Sequence, residues 1–414
     1  MNSQEKQQLR AAKHYVYYPE EGNIPTYLAY GFRPVFLLLA PYMLVTILLW
    51  GLVWTGVIRL PFLNDILTWH IYELLFGVLT AGTMAFFTTG LPELFPGMVP
   101  LVGRRLWFLL LLWVAGRVSF WTIDYTGLLL TAILNLAMLA WVIWYARDAL
   151  LDKLQRHASL AYTLLVLFGI EAWFFAAKGG LVATSGFKIL KVALGAIVVL
   201  ILFTLRRVNM EAINGIMEDE EIDDVYIARP PSTNLAVFAV TVFTIVEFFF
   251  PNNSTLGWLG LAAGASILGI TSDYLLKDES ILHLPYVWYL SSIFFMLGIG
   301  YGLMGWDLLN PSIDGLNHFR HFVTVGGVGL SYLMIMLIVS QVHTGRILKA
   351  SISTHLMVLF LLLAAVLRGV IPFFPAYSKG LYFWSSIAWT LPFILYIKTC
   401  FRYLWTPRAD GIAG

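Results

Sequence analysis

Two histidines stand at the two ends of one uncharged apolar run. From Phe322 to Val342 the chain carries no charged residue, and this length can cross a bilayer. His321 comes just before the run and His343 just after it, 22 positions later. On one helix this separation is about 33 Å of rise, roughly the thickness of the hydrocarbon layer. Imidazoles ligate haem iron, copper and zinc, so the run predicts a helix with a candidate ligand near each membrane face.

A histidine and a carboxylate occur together at the start of another apolar run. His70 and Glu73, in the segment 69–73 (WHIYE), are three residues apart and share one face of a helix. The carboxylate is expected to orient the imidazole or to bind metal itself. An ordinary interfacial position explains the same residues equally well, because aromatic and polar side chains gather at the bilayer interface.

Four further features bear on this run and its histidines. His318 and His321 have a spacing that allows two imidazoles to share a copper or zinc ion. The glycines at 326, 327 and 329 make a smooth surface, which is first of all a helix-packing face and secondly a surface for a flat porphyrin. His343 is followed by Gly345, so a simple helix C-cap is the alternative to ligation there. His283 precedes another apolar run at the same predicted depth as His343.

The composition is that of a membrane protein. Of 414 residues, 59% are hydrophobic and only 12% are charged, and the mean hydropathy is +0.78. A soluble domain carries about 25% charged residues. No basic cluster is suited to nucleic acid.

The single cysteine, Cys400, excludes an intramolecular disulfide and a Cys-x-x-Cys-His haem attachment motif, so any haem is expected to be b-type.

Apolar windows of about 20 residues divide the chain into transmembrane helices and predict an all-α, polytopic fold. The predicted spans number twelve: 33–55, 69–90, 105–122, 126–146, 158–178, 182–205, 234–250, 255–276, 283–304, 321–342, 353–371 and 380–403. They form two groups of six, at 32–205 and 234–404. A polar arm (1–31), a linker (206–233) and a tail (405–414) complete the chain.

Lysine and arginine are concentrated on the side of the N-terminus, which predicts that both termini are cytoplasmic. With this orientation His70, His318 and His321 lie near the outer face, and His283 and His343 near the inner face. Depth thus predicts that His70 can pair with His321, and His283 with His343. Arg117 and Arg368 are candidate partners for haem propionates, and Asp124 or a lipid phosphate is the alternative partner.

Five segments together resemble the NnrS family of bacterial membrane proteins: 30–34 (YGFRP), 69–77 (WHIYELLFG), 282–286 (LHLPY), 321–326 (HFVTVG) and 343–346 (HTGR). The likeness covers most of the chain. It departs from the family pattern at Ile338, where relatives tend to carry Arg. The resemblance implies twelve spans in the bacterial inner membrane, haem and copper binding, and a link to nitric oxide and denitrification. It implies haem ligation by His70, His283, His321 and His343.

The sequence therefore predicts one or two b-type haems held by histidine pairs, with a role in redox chemistry or electron transfer. Near the outer face His70, Glu73, His318 and His321 are expected to hold metal, with copper as the alternative to haem. A metal-handling permease would use the same four residues without haem. A non-catalytic membrane subunit of a larger respiratory complex is the third hypothesis. The sequence also leaves a redox partner and a homodimer open.

Overall fold

The structure is a computed structural model that describes residues 24–94, 98–147, 158–251, 253–277, 280–311 and 315–412. In this part of the chain the secondary structure is helical and contains no strand. A long helix occurs at each position where the sequence predicts a span. These are α1 (Phe32–Trp54), α2 (Ile66–Tyr72, Glu73–Gly77 and Val78–Leu94), α3 (Gly103–Trp121), α4 (Leu128–Tyr145), α5 (Ala158–Lys178), α6 (Gly186–Asp219), α7 (Pro230–Phe249), α8 (Thr255–Gly269), α9 (Pro285–Leu309), α10 (Leu316–His321, Phe322–Gly329 and Leu330–Val342), α11 (Ile352–Gly369) and α12 (Ser378–Trp405).

Ten helices among the described residues are long and apolar enough to cross a membrane. α3 and α5 are not among the ten, although both lie where spans were predicted, and α3 carries the three arginines Arg104, Arg105 and Arg117. The prediction of an all-helical, multi-pass membrane protein is confirmed. The number of twelve crossings and the cytoplasmic position of the termini stay predictions.

α6 is longer than the sequence predicted. A span was expected to end at 205 and a linker to follow, but the helix continues to Asp219. The extension buries apolar side chains that include Ile213 and Met217. The Asn214 amide exchanges two hydrogen bonds with the backbone of Tyr226, so the segment after α6 folds back along it. Buried contacts therefore continue the helix beyond its apolar span, and the end of the membrane-spanning part at 205 stays a prediction.

Small residues bring several helices close together. On α8, a Cβ added to Gly260 would lie 2.8 Å from Gly305 Cα of α9, and one added to Gly264 would lie 2.6 Å from the Gly298 carbonyl oxygen. Such close approach of backbones is the usual way in which membrane helices associate. The second half of the bundle is thus built on a tight α8–α9 contact, and α9 in turn packs against α10.

The starts and ends of three helices meet at one end of the bundle. Buried Arg33, at the start of α1, donates hydrogen bonds to the backbone carbonyls at the end of α12. The Ala409 N–H in the tail donates to the Thr344 carbonyl, just after α10, over 3.0 Å. We call this end of the bundle the His343 end. The opposite end of the bundle, where α10 begins, is called the His321 end. Most of the predicted arm lies outside the described residues.

Candidate functional site

His70 lies against a wall of aromatic rings at the His321 end. Its ring stacks on Trp50 of α1, with centroids 3.8 Å apart and planes 8° apart. Trp50 stacks on Trp54, and Trp54 makes an edge contact with Tyr382 of α12. Tyr382 in turn lies 6.4 Å from the His318 ring, measured between centroids. Rings from α1 and α12 therefore connect the histidine of α2 with those of α10.

His321 has one ring nitrogen fixed by the backbone. Its Nδ1 lies 2.8 Å from the carbonyl oxygen of Asn317. A carbonyl only accepts hydrogen bonds, so in the neutral imidazole Nδ1 carries the proton and Nε2 keeps its lone pair. This is the tautomer of an imidazole that ligates a metal through Nε2. His70 and Arg368 both influence His321 electrostatically, so the three residues lie at the same end of the bundle. No described hydrogen bond or ring contact joins His70 to His321, whose described contacts are with Trp50 and with Asn317.

His318 has the opposite tautomer, set by Arg368 of α11. Arg368 Nη1 lies 2.6 Å from His318 Nδ1. A guanidinium only donates, so Nδ1 accepts and the proton of the neutral ring is on Nε2. In this arrangement His318 has no Nε2 lone pair for a metal, and His321 is the better ligand of the two.

Arg368 brings a positive charge to the His321 end. Its guanidinium lies over the Tyr382 ring, 4.6 Å from the centroid. Among the described residues no carboxylate forms an ion pair with it. A cation in a membrane protein needs a partner, and this one suits an anionic group of a ligand.

Glu73 is engaged in a buried ion pair. Its carboxylate accepts hydrogen bonds from Arg117 of α3, over 2.5 Å, and from the Tyr42 hydroxyl. The Arg117 and Glu73 side chains are only 6% and 0% exposed, and Arg117 also donates to Asn135 of α4. The sequence suggested Glu73 as a partner of His70 or of a metal, and Arg117 as a partner of a propionate. The structure instead uses the two residues to tie α2 to α3.

A second carboxylate lies near this ion pair. Fully buried Glu171 of α5 accepts a hydrogen bond of 2.6 Å from the Tyr72 hydroxyl. The sequence did not predict this contact. The only feature of the sequence that pointed to it was an acidic residue, Glu171, inside an apolar run.

Each candidate histidine at this end adjoins a rare helix geometry. The π-helical segment Glu73–Gly77 begins three residues after His70, and the segment Phe322–Gly329 begins directly after His321. π-helical turns frequently occur at functional sites. The sequence did not predict either segment, and their glycines were the only signal.

The glycines of the second π-helical segment are packing positions. A Cβ added to Gly326 would lie 2.7 Å from Met296 Cγ of α9, and one added to Gly327 would lie 2.3 Å from Leu297 Cδ2. The helix-packing face that the glycines predicted is therefore present. The sequence allowed, as a second possibility, that a flat porphyrin lies on this surface, but α9 occupies it.

His343 lines a cavity at the other end of α10. The cavity has a volume of about 310 Å³ and lies between α1, α2, α6 and α10. The His343 ring packs against Phe32 of α1, with centroids 5.7 Å apart. Its backbone carbonyl accepts a hydrogen bond of 2.6 Å from Arg408 in the tail. Its ring is thus turned towards α1 and the cavity.

His283 lies in the exposed segment before α9. Its Nδ1 is 2.9 Å from the Ser280 carbonyl oxygen, so Nε2 keeps its lone pair in the neutral ring. In the described part of the chain no contact joins it to His343, and it does not line the cavity. His283 is thus at the surface, His343 lines the cavity, and their pairing stays a prediction.

Where the structure describes the chain, no three His, Cys, Asp or Glu side chains form a group that would hold a metal ion. The expected set of His70, Glu73, His318 and His321 does not form one, because Arg117 engages Glu73 and Arg368 engages His318. Copper binding stays a prediction.

Comparison with known proteins gives one match. The family model described as "NnrS protein" matches residues 26–408, which is nearly the whole chain and includes every candidate histidine. No curated protein and no solved structure matches the chain.

Proposed function

The chain belongs to the NnrS family, and we propose that it is a haem-binding membrane protein of the nitric oxide response. In this proposal it lies in the bacterial cytoplasmic membrane, and His70 and His321 ligate one b-type haem at the His321 end. The proposal includes a redox or electron-transfer role.

The observation that carries the proposal is the arrangement around His321. Its Nδ1 donates to the Asn317 carbonyl, so Nε2 has the lone pair that ligation requires, and a second imidazole, His70, lies near it. Metal-ligating histidines usually donate their other ring N–H to a carbonyl or carboxylate in this way. The two imidazoles would therefore be the residues that hold the iron of a haem.

The neighbouring residues suit the rest of the group. Haem carries two propionates, and Arg368 offers a cation that pairs with no carboxylate among the described residues. Trp50 and Tyr382 add flat apolar surfaces next to the histidines. A haem bound there would supply reversible one-electron chemistry, and these residues would hold it, orient it and keep it out of water.

Nitric oxide binding would need one of the two imidazoles to leave. His321 is anchored through the Asn317 carbonyl, whereas the described contact of the His70 ring is its stacking on Trp50. The His70 ring therefore has no described hydrogen bond of the kind that holds the His321 ring. His70 is therefore the ligand that we expect to be displaced, which would let the same site serve electron transfer and gas binding.

A second haem between His283 and His343 is not part of the proposal, because His283 is exposed and does not line the cavity that His343 lines. That pair stays a prediction from sequence. A metal-handling permease is also less well supported, because Glu73 and His318 are engaged by arginines.

The absorption spectrum of the purified full chain, with haem extraction and metal analysis, tests the proposal. We expect a Soret band, a sharp α band after dithionite reduction, and haem that acidified acetone extracts. Copper or zinc without a Soret band would contradict the proposal and favour the permease. Stable co-purification of a partner protein that carries all the haem would favour the respiratory subunit.

A further inference from the structure

The cavity at the His343 end has the form of a long cleft with one polar end. Along α6 its lining runs from Leu200 to Asp219, which is about 28 Å of helix rise. Apolar side chains of α2, α6 and α10 line the part that lies deeper in the bundle. The ionisable lining residues are collected towards the ends of α6, α10 and the chain: Arg207, Glu211, Asp219, His343, Arg346 and Arg408.

The polar end of the cleft has balanced charges. Arg207 pairs with Glu211 at 3.6 Å, and Arg408 pairs with Asp410 at 2.5 Å. Arg346 donates to the Thr344 hydroxyl over 2.7 Å. The lining residues thus include three arginines and two carboxylates, Glu211 and Asp219, and Asp410 beside Arg408 supplies a third negative charge. A site of this kind favours a polar but uncharged head group over a phosphate or a pair of carboxylates.

The walls next to this end suit a flat ring. Phe32 and Phe36 of α1 and Phe86 and Phe87 of α2 line the cleft together with Tyr332 of α10. Aromatic side chains pack favourably against the faces and edges of other rings. A volume of about 310 Å³ is at the small end of ligand pockets, which suits one ring and part of a single chain more than a lipid with two acyl chains.

We propose that this cleft binds a membrane quinone. The neutral ring would lie among the phenylalanines near His343 and Arg346, which can donate hydrogen bonds to its carbonyl oxygens, and the prenyl chain would follow the apolar part. The cleft begins at Ser331 of α10, about 15 Å of helix rise from His321. Quinone binding does not require the haem proposed at the other end, so each proposal can fail without the other.

Photolabelling locates the ligand directly. The full chain in detergent is illuminated with an azido derivative of decylubiquinone, and the labelled peptides are identified by mass spectrometry. We expect label in 32–36, 79–90, 200–219 or 331–348, and competition by unmodified decylubiquinone but not by phosphatidylglycerol. Label confined to other segments, or equal competition by phosphatidylglycerol, would overturn the proposal.

A matched pair of variants tests whether the cleft itself is needed. The nearest atom to a Cβ added at Gly90, a lining residue, is 3.8 Å away on Phe86, so Gly90→Leu fits the helix and fills the cleft. Gly169 of α5 is exposed and has nothing within 4 Å of an added Cβ, so Gly169→Leu is the control. We expect at least about tenfold weaker quinone binding in Gly90→Leu, the loss of roughly 1.4 kcal/mol, and no change in Gly169→Leu.

A second cleft-filling variant covers the case in which Gly90→Leu does not fold. If Gly90→Leu does not elute as a folded protein, Ile335→Trp fills the cleft from the half-buried face of α10 and replaces it in the test. Equal quinone affinity in a folded cleft-filling variant would overturn the proposal. The quinone proposal would also be overturned if the parent protein bound no quinone and the cleft-filling variant lost its haem. That result would assign the cleft to haem.

Discussion

His321 and Asn317 are joined by a hydrogen bond of 2.8 Å from the imidazole Nδ1 to the backbone carbonyl oxygen one turn earlier. The bond fixes the orientation and the tautomer of the ring. His355 makes the same bond to the Ser351 carbonyl over 2.7 Å, at the exposed start of α11. The bond alone therefore does not define a ligand. His321 differs from His355 because His70 and Arg368 lie at the same end of the bundle and influence it electrostatically.

Arg368 is predicted to raise the midpoint potential of a haem at the His321 end. A nearby cation favours the reduced iron, which carries one positive charge less. Arg368→Gln should therefore lower the potential in a redox titration. Arg368→Lys keeps the charge and should restore most of it. Equal potentials in all three proteins would show that the cation lies too far from the haem to affect it.

His70 is predicted to be the exchangeable ligand. His70→Ala should keep haem bound through His321 and open one coordination position. Carbon monoxide added to the reduced variant should then shift the Soret band at once, whereas the parent should respond slowly or weakly. A His70→Ala protein whose reduced spectrum does not change with carbon monoxide would contradict this assignment.

The buried ion pair between Arg117 and Glu73 is predicted to matter for stability. Arg117→Ala leaves a buried carboxylate without its cation, and breaking such a pair costs about 3–5 kcal/mol. Denaturant unfolding in detergent should show this loss. Arg104→Ala, at an exposed position of the same helix, is the control and should change stability little. If Arg117→Ala and Arg104→Ala unfold alike, the ion pair does not hold α2 and α3 together.

Gly326 is predicted to tolerate no side chain. In Gly326→Ala the new methyl group would lie 2.8 Å from Met296 Cβ and Sδ, and overpacking of this kind costs about 1–3 kcal/mol. Gly302→Ala on α9 is the matched control, because nothing lies within 4 Å of its added Cβ. There the better helix propensity of alanine should stabilise by about 0.5–1 kcal/mol. Thermal unfolding that ranks the two variants in the reverse order would contradict the α9–α10 packing.

Helix positions were predictable from sequence, whereas the contacts of single side chains were not. Apolar length locates a span such as Phe32–Trp54 because burial of a span in lipid depends on composition. Depth along the helices also predicted that His70 and His321 share an end. The Glu73–Arg117 pair depends on which helices are neighbours, and no periodicity encodes that. The same holds for the separation of His283 from His343, which have similar depth but different surroundings.

The most direct test of the central claim is the haem content of His321→Ala measured beside His355→Ala. The two histidines have the same hydrogen bond to a carbonyl, but only His321 has a second imidazole and a cation near it. The account predicts that His321→Ala loses nearly all extractable haem while it still elutes as a folded protein. His355→Ala should keep the haem content of the parent. Full haem content in a folded His321→Ala protein would contradict the account.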